Sequence, residues 1–270
     1  MQTTIIESMG KKYLHLEDGA NSRKASLLSE SQHYQKLEQS EEVQNYQGIV
    51  GGSLFTGRMT RPEISIYINL LGRRTKDHDR NNYQTALKVL RYLYLTKFDG
   101  LHLKKADNLE IRIYVDASYG GEESRSQSGV MMTLGNQLIG WYSRRQEIAS
   151  LSITEAEYIV DCEGAKDAAW MQQFLVELGI TTRPTLYTDS EGAYNLRKVL
   201  KFARRSRHIE HRYHYLHQQV RSGKLSITTI AGKNNPADIL TKLLPMSVMN
   251  GWKELWMSTS PTCSKTKPPS

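Results

Sequence analysis

At 270 residues, with 39% apolar and 24% charged residues, the chain has room for one large domain or two of moderate size around an apolar core. It has no run of about 18 uncharged apolar residues, so no membrane span is expected, and MQTTIIESMGKK at the N-terminus has no long apolar stretch to mark it for secretion. Cys162 and Cys263 are too few for a disulfide framework or a structural zinc site and suggest an intracellular protein, while a formal charge of +8 hints at a polyanionic partner.

Residues 1–45 are polar, with few apolar anchors, and read as an extended or poorly ordered lead-in. From about Val43 to Leu103 the apolar spacing becomes helical. Ile49, Leu54, Ile64, Ile66, Ile68, Leu70 and Leu71 come first, and Tyr83, Leu87, Leu90, Tyr92 and Leu93 then recur at three and four residues. Two helices joined by the charged loop GRRTKDHDR are expected here, with Pro62 at an early helical position.

In NLEIRIYVD, Ile111, Ile113 and Val115 alternate with Arg112, Tyr114 and Asp116, the pattern of a strand with one apolar face. Val130–Leu134 and Gln137–Ser143 read as two further strands joined at Gly135-Asn136, making an antiparallel meander. A long helix is expected from Ile153 to Leu178, with Ile159, Cys162, Ala165, Ala169, Phe174 and Leu178 among its apolar positions. Ser152 and Glu155 have capping-box spacing at its start, as do Thr154 and Glu157, and Gly179 suits its stop. Thr185–Asp189 is a short strand ending in an acid, followed by a helix in EGAYNLRKVL and another from about His208 to Arg221. Leu225–Ile230 reads as the last strand and PADILTKL as the last helix. Past about Trp256 the composition is that of a disordered tail. The order βββαβα(α)βα implies a mixed five-stranded sheet flanked by helices, an α/β class. The expected division is a lead-in over 1–45, a helical unit over 46–107, an α/β domain over 108–247 and an extension with its tail over 248–270.

Charge is concentrated. Arg197 to Lys224 holds nine Lys/Arg against one acid, Glu210, so this segment equals the excess of the whole chain. Such a footprint suits phosphates, with Arg197, Lys198, Lys201, Arg204, Arg205, Arg207 and Arg212 as the candidate nucleic-acid contacts. Acids mark the other end of the chemistry. Asp116 and Asp189 end strands, Glu157 lies in the first turns of the long helix, and Asp238 follows the final strand. Strand ends are where α/β sheets present their sites. Four converging carboxylates repel one another unless divalent cations neutralise them, and hard oxygen donors suit Mg²⁺ or Mn²⁺. A pair of such ions about 3.5–4 Å apart can activate water and stabilise the leaving oxygen in phosphodiester cleavage. Singly, each acid also has a plain structural role open to it, as a turn residue, a cap or a partner of a helix dipole.

YVDASYG, SITEAEYIV, LYTDSEGA and NNPADILTKLLP, taken in series, resemble the ribonuclease H domain of Ty1/copia-type retrotransposon Pol polyproteins. GGSLFTGRMTRPEISIYINLL and ALKVLRYLYLT are similar to the segment between reverse transcriptase and ribonuclease H in that family, so the resemblance covers roughly residues 45–256. It implies a ribonuclease H-like fold, a thumb- or connection-like remnant over 46–107, and a site that holds two Mg²⁺ ions, with Mn²⁺ as a substitute. Asp116, Glu157, Asp189 and Asp238 match its catalytic, metal-ligating positions; within TEAEY the second acid aligns, leaving Glu155 as the cap. The implied reaction is endonucleolytic hydrolysis of the RNA strand of an RNA–DNA hybrid, giving a 3′-hydroxyl and a 5′-phosphate. The hybrid is the implied partner, with other Pol or Gag products of the element beside it and no membrane. The family works in cytoplasmic virus-like particles; cytoplasm and nucleus both stay open for this chain.

The histidine that many relatives carry before the final helix is missing from IAGKNNPAD, a departure shared by copia-type domains. No YVDD-like motif is present, so no polymerase activity is expected, and a remnant or truncated reading frame stands beside a processed product. An integrase-like site, which needs a third acid about 35 residues past the second, is rejected because that count from Asp189 reaches Lys224. The remaining alternative is a catalytically silent nucleic-acid-binding remnant that keeps the fold.

Overall fold

The computed structural model describes residues 2–15, 39–105, 108–120, 125–190 and 207–259. The chain divides into two compact units, one formed by residues up to His102 and from Pro245 onward, the other by Leu103 to Leu244. The first unit opens with helices α1 (Gln2–Leu14) and α2 (Gln39–Met59), then α3 (Ser65–Gly72), α4 (Arg80–Leu95) and the short strand β1 (Asp99–Leu101). Helix α1 corrects the expected lead-in. Ile6 and Met9, three residues apart and so on one helical face, are buried with Tyr46, Ile49 and Leu90 in one core, which is enough to order an otherwise polar segment. Residues 16–38 lie outside the described residues.

The helical run before the loop GRRTKDHDR is broken in two, and Pro62, expected at an early helical position, opens a separate 3₁₀ turn, Pro62–Ile64, ahead of α3. Arg61, fully buried beside this break, is satisfied on every side. Its Nε donates to Glu63 Oε1 at 2.7 Å, and its terminal nitrogens donate to the Thr96 carbonyl at 2.9 Å and hydroxyl at 2.6 Å. A buried guanidinium without such partners would be strongly destabilising.

The second unit is built on a sheet of β2 (Ile111–Ser118), β3 (Gln127–Leu134), β4 (Gln137–Arg145), β5 (Thr185–Thr188) and β6 (Ser226–Thr229), in the spatial order β4-β3-β2-β5-β6. The first three strands are antiparallel; β5 and β6 join parallel to β2 and to each other. This is the mixed five-stranded, ribonuclease H-like arrangement that the motif series implies. Helix α5 (Ile153–Glu177) lies on the sheet, where Ile111, Ile113 and Val115 are all fully buried against it. Contact is close: a Cβ on Gly164 would sit 2.6 Å from Val115 Cγ1 and 3.0 Å from Leu186 Cδ1. The far half of the helix turns differently from the expected face, with Ala168, Met171 and Leu175 buried while Phe174 and Leu178 are exposed. A 3.6-residue repeat drifts away from a stripe counted in fixed steps.

Helix α6 (Arg207–Arg221) covers the expected basic helix from about His208; the expected helix in EGAYNLRKVL lies outside the described residues. The C-terminal extension is not a loose tail at its start. It forms α7 (Met246–Trp256) and β7 (Met257–Thr259), and β7 pairs antiparallel with β1 in the first unit. Met249 is buried in that unit's core, and Lys253 donates to Tyr92 Oη and Asp99 Oδ2, both at 2.9 Å. Residues 260–270 lie outside the described residues.

Asp161 is the misfit of α5, a carboxyl that is fully buried in the core between the helix and the sheet. Burial, eased in part by the nearby Thr188 hydroxyl, lifts its carboxyl from 3.8 to about 7. The native state therefore keeps a proton that the unfolded chain has released, and stability is lost as pH rises through this window. Melting temperatures of Asp161→Asn and wild type should diverge in favour of the variant between those two pH values and run parallel above them; parallel profiles throughout would contradict the assignment. Gly164→Ala should lift α5 from the sheet and cost about 1–3 kcal/mol in denaturant unfolding.

Candidate active site

Two of the four candidate acids meet because their strands are parallel neighbours. The register pairs Tyr114 of β2 with Tyr187 of β5, so Asp116 and Asp189 each lie two residues further along and arrive at the same end of the sheet. Asp116 lies two residues before the end of β2 rather than at it, is only 1% exposed, and pairs with Gly129 of β3. Asp189 follows directly after β5 and is half-buried, with its carboxyl raised by burial and by the negative charge of Asp116.

Asp238 is brought in by the chain that follows β6. The expected final helix in PADILTKL is a 3₁₀ turn, Pro236–Leu240. Its conformation follows from where its ends are tied. Asn235 Oδ1 accepts from Ala237 N at 3.1 Å while its Nδ2 donates to the Val115 carbonyl at 2.8 Å, stapling the turn to the strand that carries Asp116. The turn lies directly on β3, where a Cβ at Gly129 would sit 2.7 Å from Thr241 Cγ2 and 2.8 Å from Leu240 Cβ. After the turn, the Thr241 hydroxyl donates to Asp116 Oδ2, and Lys242 Nζ donates to Asp116 Oδ1 at 3.1 Å and Asp238 Oδ1 at 2.8 Å.

Glu157 comes from the start of α5. The Ser152 hydroxyl accepts from Glu155 N at 3.1 Å, and the Glu155 carboxylate accepts from Leu151 N at 2.8 Å, so Glu155 serves the helix terminus. Buried Gln146 donates to the Ala156 carbonyl at 2.9 Å and to Ser128 Oγ at 3.2 Å, fixing the first turn of the helix to β3. Glu157 Oε2 is buried and has no hydrogen-bond partner. Burial first, then the charges of Asp116, Asp161 and Asp189, push its carboxyl up to about 9, against the opposing pull of Lys242.

Oxygens of Asp116, Asp189 and Asp238 all lie within 4.8 Å of one another. Asp238 is raised to about 6 because burial and the repulsion of Asp116 and Asp189 outweigh its bond to Lys242. Burial also works against the Lys242 ammonium, but Asp116 and Asp238 more than offset this and hold it above the ordinary lysine value. The donor set is three hard carboxylates with the orphaned Glu157 oxygen beside them, and it contains no thiolate or imidazole. That chemistry fits a divalent cation of the Mg²⁺ or Mn²⁺ kind.

Of the candidate nucleic-acid contacts, Arg197, Lys198, Lys201, Arg204 and Arg205 lie outside the described residues. Arg207 and Arg212 lie on α6. The sequence reading missed Asn235, Thr241 and Lys242, which hold and neutralise the acids. A signal was available for Lys242: it follows Asp238 by four residues within ADILTK. Nothing local marks Asn235, whose partner Val115 is 120 residues away.

No protein-family model matches the chain. It is 32% identical over 213 residues to the retrovirus-related Pol polyprotein from transposon TNT 1-94 of Nicotiana tabacum, covering 78% of this chain and 16% of that protein. To the corresponding polyprotein from transposon RE1 of Arabidopsis thaliana it is 35% identical over 203 residues, covering 74% of this chain and 14% of that protein. The chain thus spans a small fraction of the length of the curated relatives it matches. Among solved structures, RNase H1 from the halophilic archaeon Halobacterium salinarum NRC-1 superposes with a TM-score of 0.37 at 15% identity, covering 53% of this chain and 98% of that one. With motifs of that family running in series from YVDASYG to ADILTK, the chain belongs to the retrovirus-related Pol polyproteins of Ty1/copia-type transposons.

Proposed function

We propose that the unit from Leu103 to Leu244 is a metal-dependent ribonuclease H that hydrolyses the RNA strand of RNA–DNA hybrids. The observation that carries this is the convergence of Asp116, Asp189 and Asp238 oxygens within 4.8 Å at the shared end of two parallel strands. With Glu157, these residues would hold two divalent ions, Mg²⁺ by the hard-oxygen chemistry of the site and Mn²⁺ as its substitute. Bound there, such ions supply neutralising charge, an activated water and stabilisation of the leaving 3′-oxygen.

The chain's own residues divide the remaining work. Asp116, buried and paired with Gly129 of β3, fixes the position of the site. Asp189 and Asp238, both only half-buried, are the carboxylates that a substrate phosphate can approach. Glu157 carries a proton at neutral pH without a cation and gives it up when positive charge arrives. Water adds across the P–O3′ bond, leaving a 5′-phosphate, with its proton passing to the departing 3′-oxygen. A hybrid close to A-form is recognised by its backbone and 2′-hydroxyls rather than by base sequence, and the basic run from Arg197 through α6 provides the counter-charge in this reading.

The direct test is cleavage of an end-labelled hybrid by the full chain with Mg²⁺ or Mn²⁺. Cutting of the RNA strand alone, stopped by EDTA, supports the proposal; hybrid binding without cutting under either metal would leave a silent binding domain instead. Two predictions sharpen it. Because Glu157 is already protonated in the metal-free protein, Glu157→Gln should leave metal-free stability unchanged or raised, yet lower the cleavage rate by about 10²-fold or more. Because the protons at Glu157, near 9, and Asp238, near 6, must leave before a cation binds, Mg²⁺ affinity should rise with pH between those values. Calorimetry in buffers of different ionisation enthalpy would reveal the released protons; binding without proton release contradicts the assignment.

A further inference from the structure

Lys242 sits where the site's cation belongs. Its Nζ lies 3.1 Å from Asp116 Oδ1 and 2.8 Å from Asp238 Oδ1, bridging two of the three carboxylates whose oxygens cluster within 4.8 Å. The neighbouring Thr241 hydroxyl takes the other oxygen of Asp116. Two consecutive residues directly after the turn thus engage both oxygens of the most buried acid. This is more than an ordinary surface pair spaced by four residues, since Asp116 comes from β2, 126 residues earlier. Divalent ions of this kind bind carboxylate oxygens at about 2.0–2.6 Å, so an ion bridging Asp116 and Asp238 needs the space between oxygens that the ammonium now fills. An ammonium and a divalent ion placed between the same two oxygens would repel one another. Lys242 has somewhere to go: its side chain is 41% exposed and carried on a flexible four-carbon stem.

We infer that Lys242 is a built-in placeholder cation, which holds Asp116 and Asp238 together before metal arrives and must swing out for metal to bind, so that it sets the metal affinity of the site. The inference rests on the acids being a metal centre. In the metal-free protein the lysine offsets the mutual repulsion of three carboxylates and keeps the turn Pro236–Leu240 against β2 and β3. In the loaded protein it is released to the rim of the site. The cost of displacing it raises the concentration of metal at which the site fills.

Isothermal titration of the full chain with Mg²⁺ and with Mn²⁺ tests this, using wild type, Lys242→Met, Lys242→Arg and Asp189→Asn. Lys242→Met should bind metal on the order of tenfold more tightly than wild type, and Lys242→Arg should stay close to wild type. Without metal, Lys242→Met should melt below wild type, and saturating Mg²⁺ should close that gap; this second readout separates loss of the counter-ion from general misfolding. Equal metal affinity of Lys242→Met and wild type, with binding abolished in Asp189→Asn, would overturn the placeholder role and leave the metal centre standing. Binding that is absent from wild type, or unchanged in Asp189→Asn, would overturn the metal centre and the placeholder with it.

Discussion

Repulsion between carboxylates is the constraint on which the site depends. Parallel pairing of β2 with β5 delivers Asp116 and Asp189 to one end of the sheet, and the turn after β6 adds Asp238. Nothing in the sheet itself compensates for this concentration of negative charge. The molecule answers with Lys242 between Asp116 and Asp238, and by leaving a proton on Glu157. Both are provisional solutions, because an ammonium and a proton are what a divalent cation would displace. The same burial that makes the acids costly would strengthen their attraction for a cation.

The rest of the second unit holds those acids against that repulsion. The pairing of β2 with β3 along its length and with β5 over Arg112–Tyr114, the fully buried Ile111, Ile113 and Val115, and the close seating of α5 through Gly164 make β2 rigid. Asn235 then ties the Asp238 turn to the carbonyl of Val115, so two acids distant in sequence share one anchor point in the strand. Gln146 does the same for the first turn of α5 and hence for Glu157. Side chains that donate to backbone carbonyls thus set the geometry of side chains that carry charge. Asp161 stands apart from this scheme as a fully buried carboxyl that the nearby Thr188 hydroxyl eases only in part, a penalty that falls on stability.

Much of this was legible in the sequence, and the failures share a cause. Alternation in IRIYV and the short run TLYT placed the two strands, because a half-buried strand imprints a period of two on its residues. The position of Asp189 at the end of its strand followed, whereas β2 runs two residues past Asp116, to Ser118; the cap role of Glu155, whose spacing from Ser152 is a purely local signal, was also legible. What escaped was decided at long range. PADILTKL has helical spacing, yet Asn235 and the seating on Gly129 hold it as a 3₁₀ turn. Residues 2–14 look too polar to order, yet Ile6 and Met9 find a core supplied by α2 and α4. The strand Met257–Thr259 gains its order from pairing with Asp99–Leu101, far away in the chain. Lys242 was overlooked because a lysine four residues past an aspartate usually signals nothing more than a surface pair.

If the meeting of Asp116, Asp189 and Asp238 is a cation site at present held by Lys242, a divalent ion should displace the lysine there. Anomalous diffraction from crystals of the full chain grown with Mn²⁺ addresses it most directly. Anomalous density is expected among those three carboxylates, within coordination distance of Asp116, with Lys242 turned away from both of its present partners. Crystals that contain Mn²⁺ elsewhere but show none there, with Lys242 still bridging Asp116 and Asp238, would contradict it.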